Sequence, residues 1–251
     1  MIKLDDDGEL MKFVKNFMSK CKIPESVIAQ MVDERYKLIY KSAFTARDFD
    51  PTMNYEWYEH IGDAIHAAFI VKYFYYRFPH FRNNEGVRVV ARLRIRYASG
   101  KELAKLAEKH GMWEFINASP YLKQRERSSL LEDVFEAFIG AISVVEDKIK
   151  KTEYGNDIVH KILKFIYDQE EFDTTFESLF DPKTRLKEFC DKNKNEKLVC
   201  VKGKNGNLFT SLILLNSKRI GYGENAKRID AEQESSQQAI DYLKKNGFQI
   251  K

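Results

Sequence analysis

Apolar residues recur at helical spacing through most of the first 170 positions, then give way to strand-like alternation. Residues 9–48 read as helices with short breaks. Pro24-Glu25 marks one start, since proline tolerates the first turn of a helix and an acid there meets the positive end of the dipole. A long helical pattern runs from Tyr55 to Phe78 and stops at Pro79. Residues 86–110 continue as helix, crowded with Arg88, Arg92, Arg94 and Arg96, and further helices are expected over 128–149 and 155–170. No segment before residue 180 alternates convincingly as a strand.

Beyond Asp181 the pattern predicts a short helix over Lys183–Lys192 and strands over Lys197–Lys202, Leu208–Asn216 and Lys218–Gly223. Asn205-Gly206 is a turn signal between the first two, and a last helix runs from about Ile229 to Lys245. The expected fold is mainly α: an all-helical domain over 1–172, a linker over 173–181, and a small α+β domain of αβββα order over 182–251. No internal repeat or low-complexity tract is present.

Charge sharpens this division. The 251 residues hold 42 Lys and Arg against 38 Asp and Glu, and the segment 182–251 alone has 15 against 8, leaving a slightly acidic remainder. A basic tail domain behind an acidic body suits a protein that grips a polyanion with one part and uses carboxylates in the other. Three scattered cysteines, Cys21, Cys190 and Cys200, lack metal-type spacing and read as free thiols in a reducing compartment. The N-terminus is polar and acidic, unlike a signal peptide. The best apolar run, Ile61 to Tyr76, is interrupted by Asp63, His66 and Lys72 and is too short to span a bilayer. A soluble intracellular protein, cytoplasmic and without a membrane partner, is the expectation.

The clearest chemical signal is a set of acids in the wrong place for a core helix. From Leu130 to Ile142 the chain is apolar over most of a helical surface, which normally means burial. Asp133 and Glu136 are three apart and share one face of it. Glu59 and Asp63, four apart in a second apolar helix, repeat the theme, and Glu56 extends the stripe by one turn. Like charges at that spacing destabilise an isolated helix by roughly 0.2–0.5 kcal/mol, and a buried unpaired charge costs far more. Either these are solvated faces, or the two helices meet and four carboxylates converge on a hard divalent cation such as magnesium.

At these residues the chain resembles the ribonuclease III family. The family signature, roughly ERLEFLGDA, is similar to Glu56-Trp57-Tyr58-Glu59-His60-Ile61-Gly62-Asp63-Ala64. A second box, D-x-x-E-A-[LF]-I-G, is matched from Asp133 to Gly140, and Asp181-Pro182-Lys183-Thr184-Arg185-Leu186-Lys187-Glu188 resembles the family's junction into its RNA-binding domain. The resemblance implies an endoribonuclease that hydrolyses double-stranded RNA as a homodimer, leaving 5′ phosphates and two-nucleotide 3′ overhangs. It implies that Glu59, Asp63, Asp133 and Glu136 are catalytic metal ligands for Mg2+, with Mn2+ able to substitute. Glu56 and Glu85 match auxiliary acids. A non-catalytic binder that sequesters double-stranded RNA is the alternative, and the intact acids speak against it.

The same resemblance places Thr184, Lys187 and Glu188 at one minor groove, Lys204 and Asn205 of the first strand turn at another, and Lys227 and Arg228 on phosphates. There are departures. Trp57 and Tyr58 stand where the family has Arg-Leu, and His60 replaces a Phe that commonly enters the partner subunit, so His60 reads as an interface or core histidine. Ile229 replaces the second Lys of the phosphate motif, with Lys227 one place earlier, and weaker phosphate binding is expected.

Overall fold

A computed structural model describes residues 7–193 and 197–250, and the chain divides into two compact units, Met1–Glu171 and Phe172–Lys251. In the first unit the described elements are α1 (Asp7–Lys20), α2 (Glu25–Met31), α3 (Lys37–Ala43), α4 (Glu56–Arg77), α5 (Asn84–Tyr97), α6 (Gly100–Lys109), α7 (Pro120–Arg125), α8 (Arg127–Lys150) and α9 (Asp157–Tyr167). The expected continuous helix over 86–110 is two helices, broken at Ala98-Ser99. The Ser99 hydroxyl folds back to donate to the Arg96 carbonyl at 2.7 Å, and Gly100 opens α6. Serine competes with helical bonding in this way, and the Arg-rich pattern on either side conceals the break.

α8 is the axis of this unit. It is buried on nearly every side from Leu130 to Glu146, with α3, α4, α6 and α9 packed around it. Phe138 sits among Phe13, Phe17, Tyr40 and Phe44 at ring separations of 5.2–6.3 Å. At its far end the fully buried Glu146 accepts the backbone N–H of Ile158 at 3.0 Å and the Lys150 ammonium at 2.6 Å. One carboxylate thereby closes the orphan N-terminus of α9.

The second unit begins with one helical turn, α10 (Phe176–Leu179), where Phe176 and Phe180 stack at 4.1 Å and Glu177 pairs with Arg185 and Lys244. Then come α11 (Pro182–Lys192), strands β1 (Leu198–Asn205), β2 (Leu208–Leu215) and β3 (Lys218–Asn225) in an antiparallel sheet of that order, and α12 (Arg228–Lys245). Two-residue turns join the strands. Gly206 takes φ +58°, and Asn216 and Ser217 both lie in the left-handed region, the backbone a tight right-twisting hairpin needs. Leu186, Phe189, Ile213, Ile220, Ala239, Ile240 and Leu243 form its core between sheet and helices. The fold is therefore mainly α with a C-terminal αβββα unit. No helix among the described residues is long and apolar enough to cross a membrane.

Candidate active site and RNA-binding surface

The junction of α4 and α8 is set by two glycines. A β-carbon on Gly62 would lie 1.8 Å from the Glu136 carbonyl oxygen, and one on Gly140 would lie 2.0 Å from that of Tyr58. Only hydrogen fits at either place, so the backbones approach at Gly62 and Gly140 more closely than any other residue would allow. The acids stand near these glycines on the same two helices. Glu59 and Asp63 flank Gly62, and Asp133 and Glu136 precede Gly140.

Glu136 is buried, Glu59 and Asp133 are half-buried, and Asp63 and Glu56 are exposed. Burial, and then the charges of Asp63, Glu132, Glu59 and Asp133, push the Glu136 carboxyl up to about 8. Burial with Asp133, Glu56, Glu132 and Asp63 pushes Glu59 up to about 7. Asp133 is raised chiefly by burial, against the pull of a hydrogen bond from the Tyr55 hydroxyl, which donates to its Oδ2 at 2.8 Å. The two helices thus bring together the four acids singled out by the sequence, with Glu56 beside them.

Two further residues belong to the same place. Tyr55 is buried and holds Asp133 from 78 positions away, a relation that no local spacing encodes. Glu132 lies against the backbone of Gly100, where a β-carbon would fall about 2 Å from its carboxylate, and its own carboxyl is raised by burial, Asp133 and Asp63. Its position beside Asp133 in an apolar helix was the available signal. Glu85, by contrast, stands exposed in the first turn of α5. His60 is exposed, which excludes a core role within one chain. His66, buried near Asp63, has its Nε2 within 2.7 Å of the Tyr167 hydroxyl, and that hydroxyl donates to the Tyr97 carbonyl, so His66 is spent on packing.

An all-oxygen, strongly anionic donor set fits a hard divalent cation. No group of three or more His, Cys, Asp or Glu side chains among the described residues is arranged to hold a metal ion as it stands. Beside the acids, between α4 and α5, runs a groove of about 900 Å3 lined by Val71, Tyr75, Phe78, Val87 and Ile95, with Asp63 at its margin.

In the second unit, Lys187 and Lys227 are exposed, and Glu188 is half-buried on α11. The Thr184 hydroxyl is taken by Asp181, which caps α11. Lys204 lies over the Phe209 ring at 4.8 Å, and the Asn205 amide donates to Glu224 at 3.0 Å. Arg228 reaches toward Glu232 at 3.5 Å.

Comparison with known proteins accounts for this pairing of units. Residues 56–147 match the ribonuclease III domain, and residues 182–243 match the double-stranded RNA binding motif. The chain carries a ribonuclease III domain followed by a double-stranded RNA binding motif. It is 34% identical over 235 residues to a protein of Frog virus 3 (isolate Goorha) named for ribonuclease 3, covering 88% of this chain and 62% of that one. A second such protein, from Invertebrate iridescent virus 6, is 39% identical over 168 residues, covering 62% and 58%. Ribonuclease 3 of a Nitratiruptor species is 29% identical over 216 residues, covering 83% and 91%. The chain thus spans about three fifths of the length of the two viral relatives. The family domain holds the α4–α8 junction, and the motif holds the sheet and α12.

Proposed function

We propose that this chain is a divalent-metal-dependent endoribonuclease that hydrolyses phosphodiester bonds in double-stranded RNA, leaving 5′ phosphates and two-nucleotide 3′ overhangs. The observation that carries the reading is the glycine-matched junction of α4 and α8, which gathers Glu59, Asp63, Asp133 and Glu136 where an apolar interface would otherwise be. These four acids would hold Mg2+, or Mn2+ in its place, and such an ion supplies water activation and neutralises charge on the phosphate. The protein's own part is positional. The glycine contact fixes the helices, Tyr55 orients Asp133 by donating to one of its oxygens, and Glu132 and Glu56 add negative charge that raises cation affinity.

The αβββα unit would supply duplex affinity, reading A-form shape through Thr184, Lys187, Glu188, Lys204, Asn205, Lys227 and Arg228. Cutting both strands requires two junctions, and a homodimer provides them. The α4–α5 groove supports that arrangement, because it exposes Val71, Tyr75, Val87 and Ile95 to solvent beside Asp63. Apolar surface of this kind marks an interaction site.

The test is cleavage of a long end-labelled RNA duplex with magnesium, alongside the Glu136→Gln variant. Short duplex products from the parent and none from the variant support the reading. Tight binding by the parent without cutting, in magnesium or manganese, would replace it with a binder that sequesters RNA.

A further inference from the structure

In the αβββα unit a single nearly buried carboxylate gathers cations from three separate elements. Glu232, on α12, has a side chain only 7% exposed. Its Oε2 takes the ammonium of Lys183 at the start of α11, while its Oε1 takes the Lys202 ammonium of β1 at 2.8 Å and faces Arg228 Nε at 3.5 Å. The elements themselves are tied at the same place. Gln233 accepts the Lys183 backbone N–H at 3.1 Å and donates to Asp181, the cap of α11, at 2.8 Å.

Three cations against one carboxylate leave a net positive cluster, and its donors are not exhausted. An ammonium has three N–H groups and a guanidinium five, of which Glu232 uses a fraction. The side chains of Lys183, Lys202 and Arg228 remain 51%, 39% and 64% exposed, so the rest of their donors face solvent. At the start of α12, Lys227 caps the helix and Arg228 opens it, but Ile229, which follows, is apolar and 65% exposed. Two lysines brought in from α11 and β1 make up the charge that position 229 lacks.

We infer that Lys183, Lys202 and Arg228 form one phosphate-binding cluster for the RNA backbone, and that Glu232 is the positioning residue that assembles it. The inference rests on the duplex-RNA reading above and adds two contacts, Lys183 and Lys202, to the seven that the motif suggests. Glu232 holds long side chains already extended toward a shared point, so less side-chain freedom is lost when phosphate arrives.

The experiment is a titration of a fluorescent RNA duplex with the full chain, without divalent ions, over a series of salt concentrations. Lys183→Ala and Lys202→Ala should each weaken binding and lower the salt slope by about one. Lys245→Ala, the same charge change in the last turn of α12, should leave the slope unaltered. Glu232→Gln should weaken binding several-fold although it raises the net charge, with Glu232→Asp recovering part of the loss. Lys202 is an exposed strand residue, so Lys202→Ala removes no core side chain and should leave the fold intact. Lysine variants indistinguishable from Lys245→Ala would overturn the cluster, and tighter binding by Glu232→Gln would overturn the positioning role. A parent that binds no duplex at any salt would instead remove the RNA reading on which both stand.

Discussion

Gly62 and Gly140 interlock reciprocally: the site of a β-carbon on each lies 3.1 Å from the backbone nitrogen of the other, and closer still to a carbonyl of the facing helix. The neighbours in those contacts are backbone atoms, which cannot swing aside as a flexible side chain would. Gly62→Ala and Gly140→Ala should therefore push α4 and α8 apart. Overpacking of a tight core costs about 1–3 kcal/mol, and contacts this short belong at the upper end. Thermal melts should show the loss, and duplex cleavage should fall further than stability does, because the acids are carried on the same two helices.

Tyr55→Phe removes one oxygen, and with it the hydrogen bond to Asp133 Oδ2. The ring remains buried, so the melt should change little. Asp133 loses the contact that fixes its rotamer, and outer contacts of this sort are worth about ten- to a hundred-fold in metal affinity or rate. The magnesium concentration needed for half-maximal cleavage should rise, and direct Mn2+ binding should weaken in parallel. Unchanged Mn2+ affinity with a lowered rate would point to a role for Tyr55 other than orienting the acid.

The acids were legible in the sequence because helical spacing is local: Glu59 with Asp63, and Asp133 with Glu136, needed only periods of four and three. That the two stripes meet depends on the contacts at Gly62 and Gly140, between residues 78 positions apart, and only the family resemblance anticipated it. Tyr55 was hidden for the same reason. Glu232 stood in plain view within Ala231-Glu232-Gln233, but its part as the meeting point of Lys183, Lys202 and Arg228 comes from three elements folding together. The break at Ala98-Ser99 was missed because alternating arginines keep a helical rhythm through a position where serine turns back on its own backbone.

Glu146 offers a stability test remote from the site. Replacing it with Ala strands the Ile158 N–H in a buried place, while Lys150, partly exposed, keeps its pairing with Asp157 at 2.8 Å. An unsatisfied buried donor costs about 1–3 kcal/mol. The melting temperature should fall accordingly, with Glu146→Gln milder because an amide oxygen still accepts from Ile158. Equal losses for the two variants would show that the ion pair, and not the helix cap, is the stabilising part.

The raised carboxyls fix the sign of a pH effect in the absence of divalent ions. Glu59 and Glu136 are pushed up to about 7 and 8, whereas in an unfolded chain they titrate in the ordinary carboxylate range. Between those limits the folded state holds more protons than the unfolded one, so stability falls as pH rises from about 4.5 to about 8 and levels off above. Glu136→Gln removes the larger contribution. It should flatten the melt-versus-pH curve and melt higher than the parent at pH 8. A parent curve that rises over this range would show that the four charges are already compensated by other means.

Adding a divalent cation should reverse that trend, and the reversal separates metal binding from general electrostatics. A ligand that binds only the folded state stabilises it by about 2.7 kcal/mol at roughly a hundred times its dissociation constant. Protons compete for the same carboxylates, since Glu59 and Glu136 are largely protonated at pH 5 and largely ionised only above about 8. Magnesium should raise the melting temperature markedly at pH 8 and little at pH 5. Sodium at matched ionic strength should do neither, because screening acts weakly on partly buried charges. The Glu136→Gln variant should lose most of the magnesium effect at pH 8 while keeping its fold. An equal rise at both pH values, or one retained in full by the variant, would place the bound ion somewhere other than the α4–α8 junction.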